Sequence, residues 1–257
     1  EIGALADAIE SIGFECTRCG GCCTGYAPDE PGGAPANESG DEATSTSDDE
    51  TTAPQESPST DPETGDDREP HTATVFPDEV RELVEAAEST PEEAADVAYD
   101  WRDVARPMPY GLSEDADGQP VGETFEWALA TDGCGDCTFY EESDGQGACT
   151  VHDARPLICQ TYPFSVALGG TTQPMGEAVD AEGMVRAHEC EGLGRDISRE
   201  DAEELAAALK ERAIRELEEA IGVRDTYDPT AADRANSDLV VFDSEGPKRS
   251  DGEPVDG

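Results

Sequence analysis

The segment Cys16-Thr17-Arg18-Cys19-Gly20-Gly21-Cys22-Cys23 constrains this chain more than any other. It packs four thiols into eight residues, two of them adjacent. A disulfide usually spans Cα atoms about 4.4 to 6.8 Å apart. Adjacent Cα atoms sit about 3.8 Å apart, so a Cys22–Cys23 bond would be strained. Left free, four neighbouring thiols invite oxidation. A metal resolves both difficulties, because thiolates bind Zn²⁺ and iron–sulfur clusters. The segment therefore reads as half of a metal site.

The other half lies in Cys134, Cys137, Cys149, Cys159 and Cys190, which brings the total to nine cysteines against three histidines. Eight thiols would supply two Cys₄ sites, a cluster plus a zinc, or one site with supporting thiols. Cys23 and Cys137 are distant in the chain, so a shared site would staple the fold. Metal binding would then add folding free energy, on the order of 10 kcal/mol per structural site. Neighbouring side chains diverge on almost any backbone, so Cys22 and Cys23 do not both suit one small Zn²⁺. A larger iron–sulfur cluster, or two adjacent metal sites, accommodates them better. Bacterial ferredoxins share the C-x₂-C-x₂-C run, but here the fourth cysteine is adjacent to the third and no proline follows.

Composition narrows the setting. The formal net charge is −46, and only Lys210 and Lys248 are lysines. Such an excess of carboxylates suits concentrated salt, where the Debye length at about 1 M is only ~3 Å. In dilute buffer the same charge works against a compact state. The expected location is a halophilic cytoplasm, where many cysteines favour metal over disulfides. No basic stripe exists to contact nucleic acid. No apolar run approaches the ~20 residues of a membrane helix, and no signal peptide is evident. Metal ions are the expected partners.

The chain changes character along its length. Residues 2 to 12 carry Ile2, Leu5, Ile9 and Ile12 at helical spacing, with Gly13 as a left-handed stop. Residues 1–26 form the first arm of the domain. From Ala27 to Pro70 there is no large apolar residue, so 27–71 reads as a disordered acidic insertion. His71, at its border, is expected in solvent. Order resumes over 72–225. Pro77 opens a helix, and Thr90-Pro91-Glu92-Glu93 opens another with Ala94, Val97, Ala98 and Trp101 on one face. Residues 106 to 122 read as loop, and Thr124 to Ala130 as a strand with Phe125 and Trp127 on one face. The second cysteine arm, 134–190, reads as mostly loop. Ser198 and Asp201 cap a helix over 199–221, with Gly222 ending it. Residues 226–257 read as a polar acidic tail, with Leu239 to Phe242 as one edge strand. The expected fold is mainly α, with long irregular loops and few short strands: a small metal-stapled domain.

At this point the motifs carry a resemblance. Phe14-x-Cys16-x-x-Cys19-Gly20-x-Cys22-Cys23 resembles the signature of the CxxCxxCC cysteine-cluster family, the YkgJ-like group of zinc- or iron-chelating proteins, here of haloarchaeal type. The similarity continues at Cys137-Thr138-Phe139-Tyr140 and at Gly147-Ala148-Cys149-Thr150-Val151-His152. It is strongest over Arg155-Pro156-Leu157-Ile158-Cys159-Gln160-Thr161-Tyr162-Pro163-Phe164, and it ends at Cys190-Glu191-Gly192-Leu193-Gly194. The resemblance implies eight metal ligands: Cys16, Cys19, Cys22, Cys23, Cys137, Cys149, Cys159 and Cys190. Two positions depart from the pattern. His152 stands where the family usually has Tyr, and Cys134 falls outside it. His152 and His188 remain open as mixed ligands or supporting residues. Arg18, Arg155 and Arg186 are candidates to offset the thiolate charge.

Catalytic motifs are weaker. Cys134-x-x-Cys137 lacks the βαβ context of a redox pair. Gly192-Leu193-Gly194 does not follow a strand, and neither a G-x-S-x-G nor a Walker element is present. The leading function is chelation of an iron–sulfur cluster or zinc, for electron transfer or metal handling. Two alternatives stand beside it: a structural zinc interaction module, and a relative of protein-lysine methyltransferases, since flagellin lysine methylases carry a similar cysteine signature. Whether the chain is an enzyme stays open.

Overall fold

Helix α1 (Ile2–Ile12) forms as its apolar spacing predicts, burying Leu5, Ala6 and Ile9, and Gly13 closes it at φ +77°. This is the start of a computed structural model that describes residues 2–26, 69–89, 98–168, 178–180, 183–235 and 238–255. The disordered insertion expected over 27–71 falls outside the described residues up to 68. So do Ala94 and Val97 of the helix expected after Thr90.

The chain resumes in β1 (Thr74–Val75) and α2 (Pro77–Ser89), followed by α3 (Trp101–Val104) and β2 (Ala105–Pro107). Asp100 caps α3 through the backbone N of Arg102. Then come β3 (Leu112–Glu114), β4 (Pro120–Thr124) and β5 (Trp127–Leu129). The second cysteine arm holds the hairpin β6 (Tyr140–Ser143) and β7 (Gln146–Cys149), then α4 (Leu157–Thr161), β8 (Phe164–Val166), β9 (Ala178–Asp180) and β10 (Val185–His188). The C-terminal part is α5 (Arg199–Thr226), α6 (Ala231–Ala235), β11 (Leu239–Asp243) and β12 (Gly246–Lys248).

These strands make four small sheets, ordered β1-β5-β2, β8-β10-β9, β12-β11-β4-β3 and β6-β7. With 37% helix and 24% strand, the fold is not mainly α. The strands escaped notice because most have three to five residues and little alternation. Segment 106–122, expected as loop, supplies three of them. The expected strand over 124–130 is broken at Phe125, which is 46% exposed, while Trp127 is buried.

The presumed tail is built into the fold. β11 is buried at every position and lies inside its sheet, parallel to β4 and antiparallel to β12. Both of its faces are covered, which is why its run is apolar. α5 begins where expected, with the Ser198 hydroxyl accepting from the Asp201 N–H, but it runs past Gly222. A Cβ at Gly222 would meet Ser244 Cβ at 2.4 Å. This glycine serves close packing rather than helix termination.

Two main hydrophobic clusters result. One joins α2, β5 and Phe139, and takes Cys23, Cys149 and Cys159 on its edge. The other packs α1 on α5, β8 and β10. The cysteine loop leaves α1 in the second cluster and delivers Cys23 to the first.

Candidate metal centre

The loop after α1 is shaped by its glycines and held by backbone bonds. Gly20 has φ +78°, and a Cβ there would lie 2.2 Å from Tyr140 Oη. Gly147 presses on the same ring: its Cβ would sit 2.7 Å from Tyr140 Cε2. The Tyr140 ring thus fits between two residues without side chains. Gly147 N donates to Arg18 O at 2.8 Å, and Cys137 N donates to Cys23 O at 2.8 Å. These contacts seat the first cysteine arm on the β6–β7 hairpin.

Cys159 arrives on α4, whose two ends are held from outside. Glu79, buried on α2, accepts from Leu157 N at 2.9 Å through Oε1 and from Phe76 N at 3.0 Å through Oε2. At the other end, the buried Arg212 of α5 donates to Thr161 Oγ1 at 3.1 Å and to Phe164 O at 3.2 Å. Cys190 returns beside the first arm. Glu15 N donates to Gly192 O at 3.0 Å, and Phe14 bridges Leu193. Gly192 allows this approach, since a Cβ there would lie 2.3 Å from Glu15 O.

All eight cysteines of the family pattern line one cavity of about 1320 Å³. Cys16 and Cys19 are exposed, Cys137 is buried, and the other five are intermediate. The Cys22 and Cys23 sulfurs lie 3.7 Å apart. Among the described residues, no three His, Cys, Asp or Glu side chains converge tightly enough to hold one ion. The thiols ring a space rather than a point. Their chemistry nevertheless fits zinc or iron, both of which thiolates bind.

Electrostatics keep most of these thiols protonated until something takes the proton. The hydrogen bond with Cys23, and then burial, raise Cys22 far above the usual thiol range. Burial pushes Cys137 up to about 11 and raises Cys149, Cys159 and Cys190 as well. The Arg155 guanidinium opposes this at Cys22 and Cys149. It lines the cavity and donates through Nε to His152 O at 3.1 Å.

The other candidates separate. Cys134 is exposed, in a turn where Asp132 Oδ1 accepts from Cys134 N and Asp136 N. His152 lines the cavity mouth, with Nδ1 3.5 Å from Asp153. His188 is a core residue: it is 1% exposed, and its Nε2 lies 3.0 Å from Ser165 Oγ. His71, expected in solvent, is 2% exposed and lines the cavity. Its backbone N donates to Gly135 O, which draws the residue inward. Glu79 and Arg212 carried no motif signal, because each acts on groups far away in sequence.

Eight cysteines from two chain arms thus wall one cavity, the arrangement of a cysteine-cluster domain. The family model CxxCxxCC, "Putative zinc- or iron-chelating domain", matches residues 15–191. The chain belongs to that family, and membership supports metal binding of the zinc or iron kind. Comparisons with curated proteins and with solved structures give no match. No helix among the described residues is long and apolar enough to cross a membrane.

Proposed function

We propose that the eight cysteines hold two metal positions side by side, one sheltered and one open. The inner position takes Cys23, Cys137, Cys149 and Cys159, which must close in on the ion, since no three of these side chains converge beforehand. The outer position takes Cys16, Cys19, Cys22 and Cys190. The Cys22–Cys23 contact of 3.7 Å carries this reading, because it sets two adjacent thiols side by side where two groups would meet, with Cys22 in electrostatic reach of both. On one side, Cys23, Cys137, Cys149 and Cys159 all belong to the same hydrophobic cluster or its edge. On the other, Cys16 and Cys19 are exposed, and the Phe14–Leu193 bridge brings their arm to that of Cys190. Adjacent cysteines then serve adjacent sites, and neither must turn against its neighbour.

The inner position is suited to stapling the fold, since its ligands join segments far apart in sequence. The outer position is suited to exchange with solvent or a partner, so the function is metal handling. An iron–sulfur cluster spanning the cavity is the second reading, favoured by the width of the thiol ring.

Anaerobic purification in molar KCl, followed by metal and acid-labile sulfide analysis, tests both readings. Two metals per chain and no sulfide support paired sites. Iron with stoichiometric sulfide supports the cluster, and opens electron transfer as its use. Cys190→Ser should remove one of two metals and leave the fold intact, whereas Cys159→Ser should also lower stability. Equal, complete metal loss from both variants overturns the two-position reading. A colourless zinc protein that exchanges none of its metal is instead a structural interaction module. Methyl transfer to lysine peptides by the same preparation would revive the enzyme alternative.

A further inference from the structure

The thiol cavity extends beyond the cysteines. Its far end is walled by Tyr26, Glu69, His71, Thr72, Met108 and Tyr110. Ligand pockets for small molecules run to about 300–1,000 Å³, so a space of about 1320 Å³ has room for more than metal.

Behind this wall stands Arg106, half-buried on β2. Its Nη2 donates to His71 O at 2.7 Å. Among the described residues it faces no carboxylate: the groups acting on it are burial and the hydroxyls of Tyr26 and Tyr110. Arg155 and Arg249 likewise bond only backbone carbonyls, but Arg106 combines this with an unpartnered buried Nε. At the surface even Arg102 and Arg199 have carboxylate partners. A desolvated guanidinium without an anion is unfavourable, and guanidinium geometry matches carboxylate and phosphate.

Two further polar atoms point the same way. Arg106 Nε and His71 Nδ1 are both buried and have no hydrogen-bond partner. Buried polar atoms without partners are uncommon and call for a cause such as an absent ligand. Beside them, Tyr26 Oη lies 3.2 Å from Thr72 Oγ1 and accepts from Thr72 N at 3.1 Å. Hydroxyl donors thus border the cation.

We infer that this end of the cavity is a binding site for a small molecule bearing a carboxylate or phosphate group. The anion pairs with Arg106 after a small adjustment of the His71 wall. The rest of the molecule lies over Met108 and Tyr110, toward the thiols. The inference does not depend on the metal reading, because none of these residues is a proposed ligand.

The probes are acetate and inorganic phosphate, titrated separately into the full chain in molar KCl. The readout is the Arg106 Nε–H resonance by NMR, with metal content measured in parallel. A saturable shift with one probe identifies the group recognised. Binding should weaken at least tenfold in Arg106→Gln, and Tyr26→Phe serves as a second variant if that one does not fold. No saturable shift with either probe, or unchanged binding in the variant that folds, overturns the proposal. A chain that binds the anion but no metal sinks only the metal reading.

Discussion

Glu79 Oε1 accepts the backbone N–H of Leu157 across 78 residues of sequence, at 2.9 Å. The bond fixes the first turn of the helix that carries Cys159. A buried carboxylate serving two N–H donors is costly to disturb. Glu79→Gln turns an NH₂ against one of those donors and should destabilise the chain by about 1–3 kcal/mol. Denaturant titration checks the magnitude, and metal content at Cys159 should fall with it.

Gly20 and Gly147 enclose the Tyr140 ring. Gly20→Ala adds a methyl group where Tyr140 Oη already lies, at a positive φ that disfavours alanine. The expected result is loss of metal together with a lower melting temperature. Gly145→Ala, where a Cβ meets nothing within 4 Å but φ is also positive, separates the two effects. It should show backbone strain alone and keep its metal.

His71 makes stability acid-sensitive. Burial, aided by Arg106 and opposed by Asp136, lowers it from 6.5 to about 4. Between those values the unfolded chain binds a proton that the folded chain does not. Stability is therefore intact above about pH 6.5 and falls as the pH drops toward 4. The loss reaches up to about 3 kcal/mol. A pH series of denaturant midpoints should show this limb, and His71→Asn should flatten it. An unchanged limb in the variant would assign it to other groups.

Lys248 is one of two lysines in the chain, and it is buried. It donates to Asp243 Oδ2 at 2.7 Å and to Glu245 Oε2 at 2.7 Å. Its ammonium lies 5.1 Å from the Trp101 ring centroid. Asp243 also accepts from Trp127 Nε1 at 2.9 Å. Lys248→Met strands the Asp243 carboxylate in the core, with an expected cost of about 3–5 kcal/mol. Pairing it with Asp243→Asn should recover part of the loss in a double-mutant cycle.

The net charge predicts a salt requirement. At −46 the chain repels itself in dilute buffer. The melting temperature should rise steeply from low to molar KCl, in both the metal-loaded and the chelator-treated protein. A flat melting curve would remove the halophilic reading.

Some of this was legible in the sequence because it is local. The apolar spacing of Ile2 to Ile12, the Ser198 cap and the proline at the start of α2 each act within a few residues. Cysteine density pointed to a metal, and the family resemblance supplied the eight thiols that line the cavity. Strand pairing was not. β4 joins β11 across more than a hundred residues, and runs this short carry too few alternations to be read.

What the sequence determined by itself was the chemistry: soft thiolate donors in two arms, on an acidic chain of the family matched over 15–191. What only the tertiary structure decided was the arrangement. It gathered eight thiols around one cavity, turned His188 into the core, and brought His71 to the cavity wall with Arg106 behind it. Those outcomes depend on backbone hydrogen bonds and close approaches between distant segments. Such contacts leave no periodic trace in the order of residues.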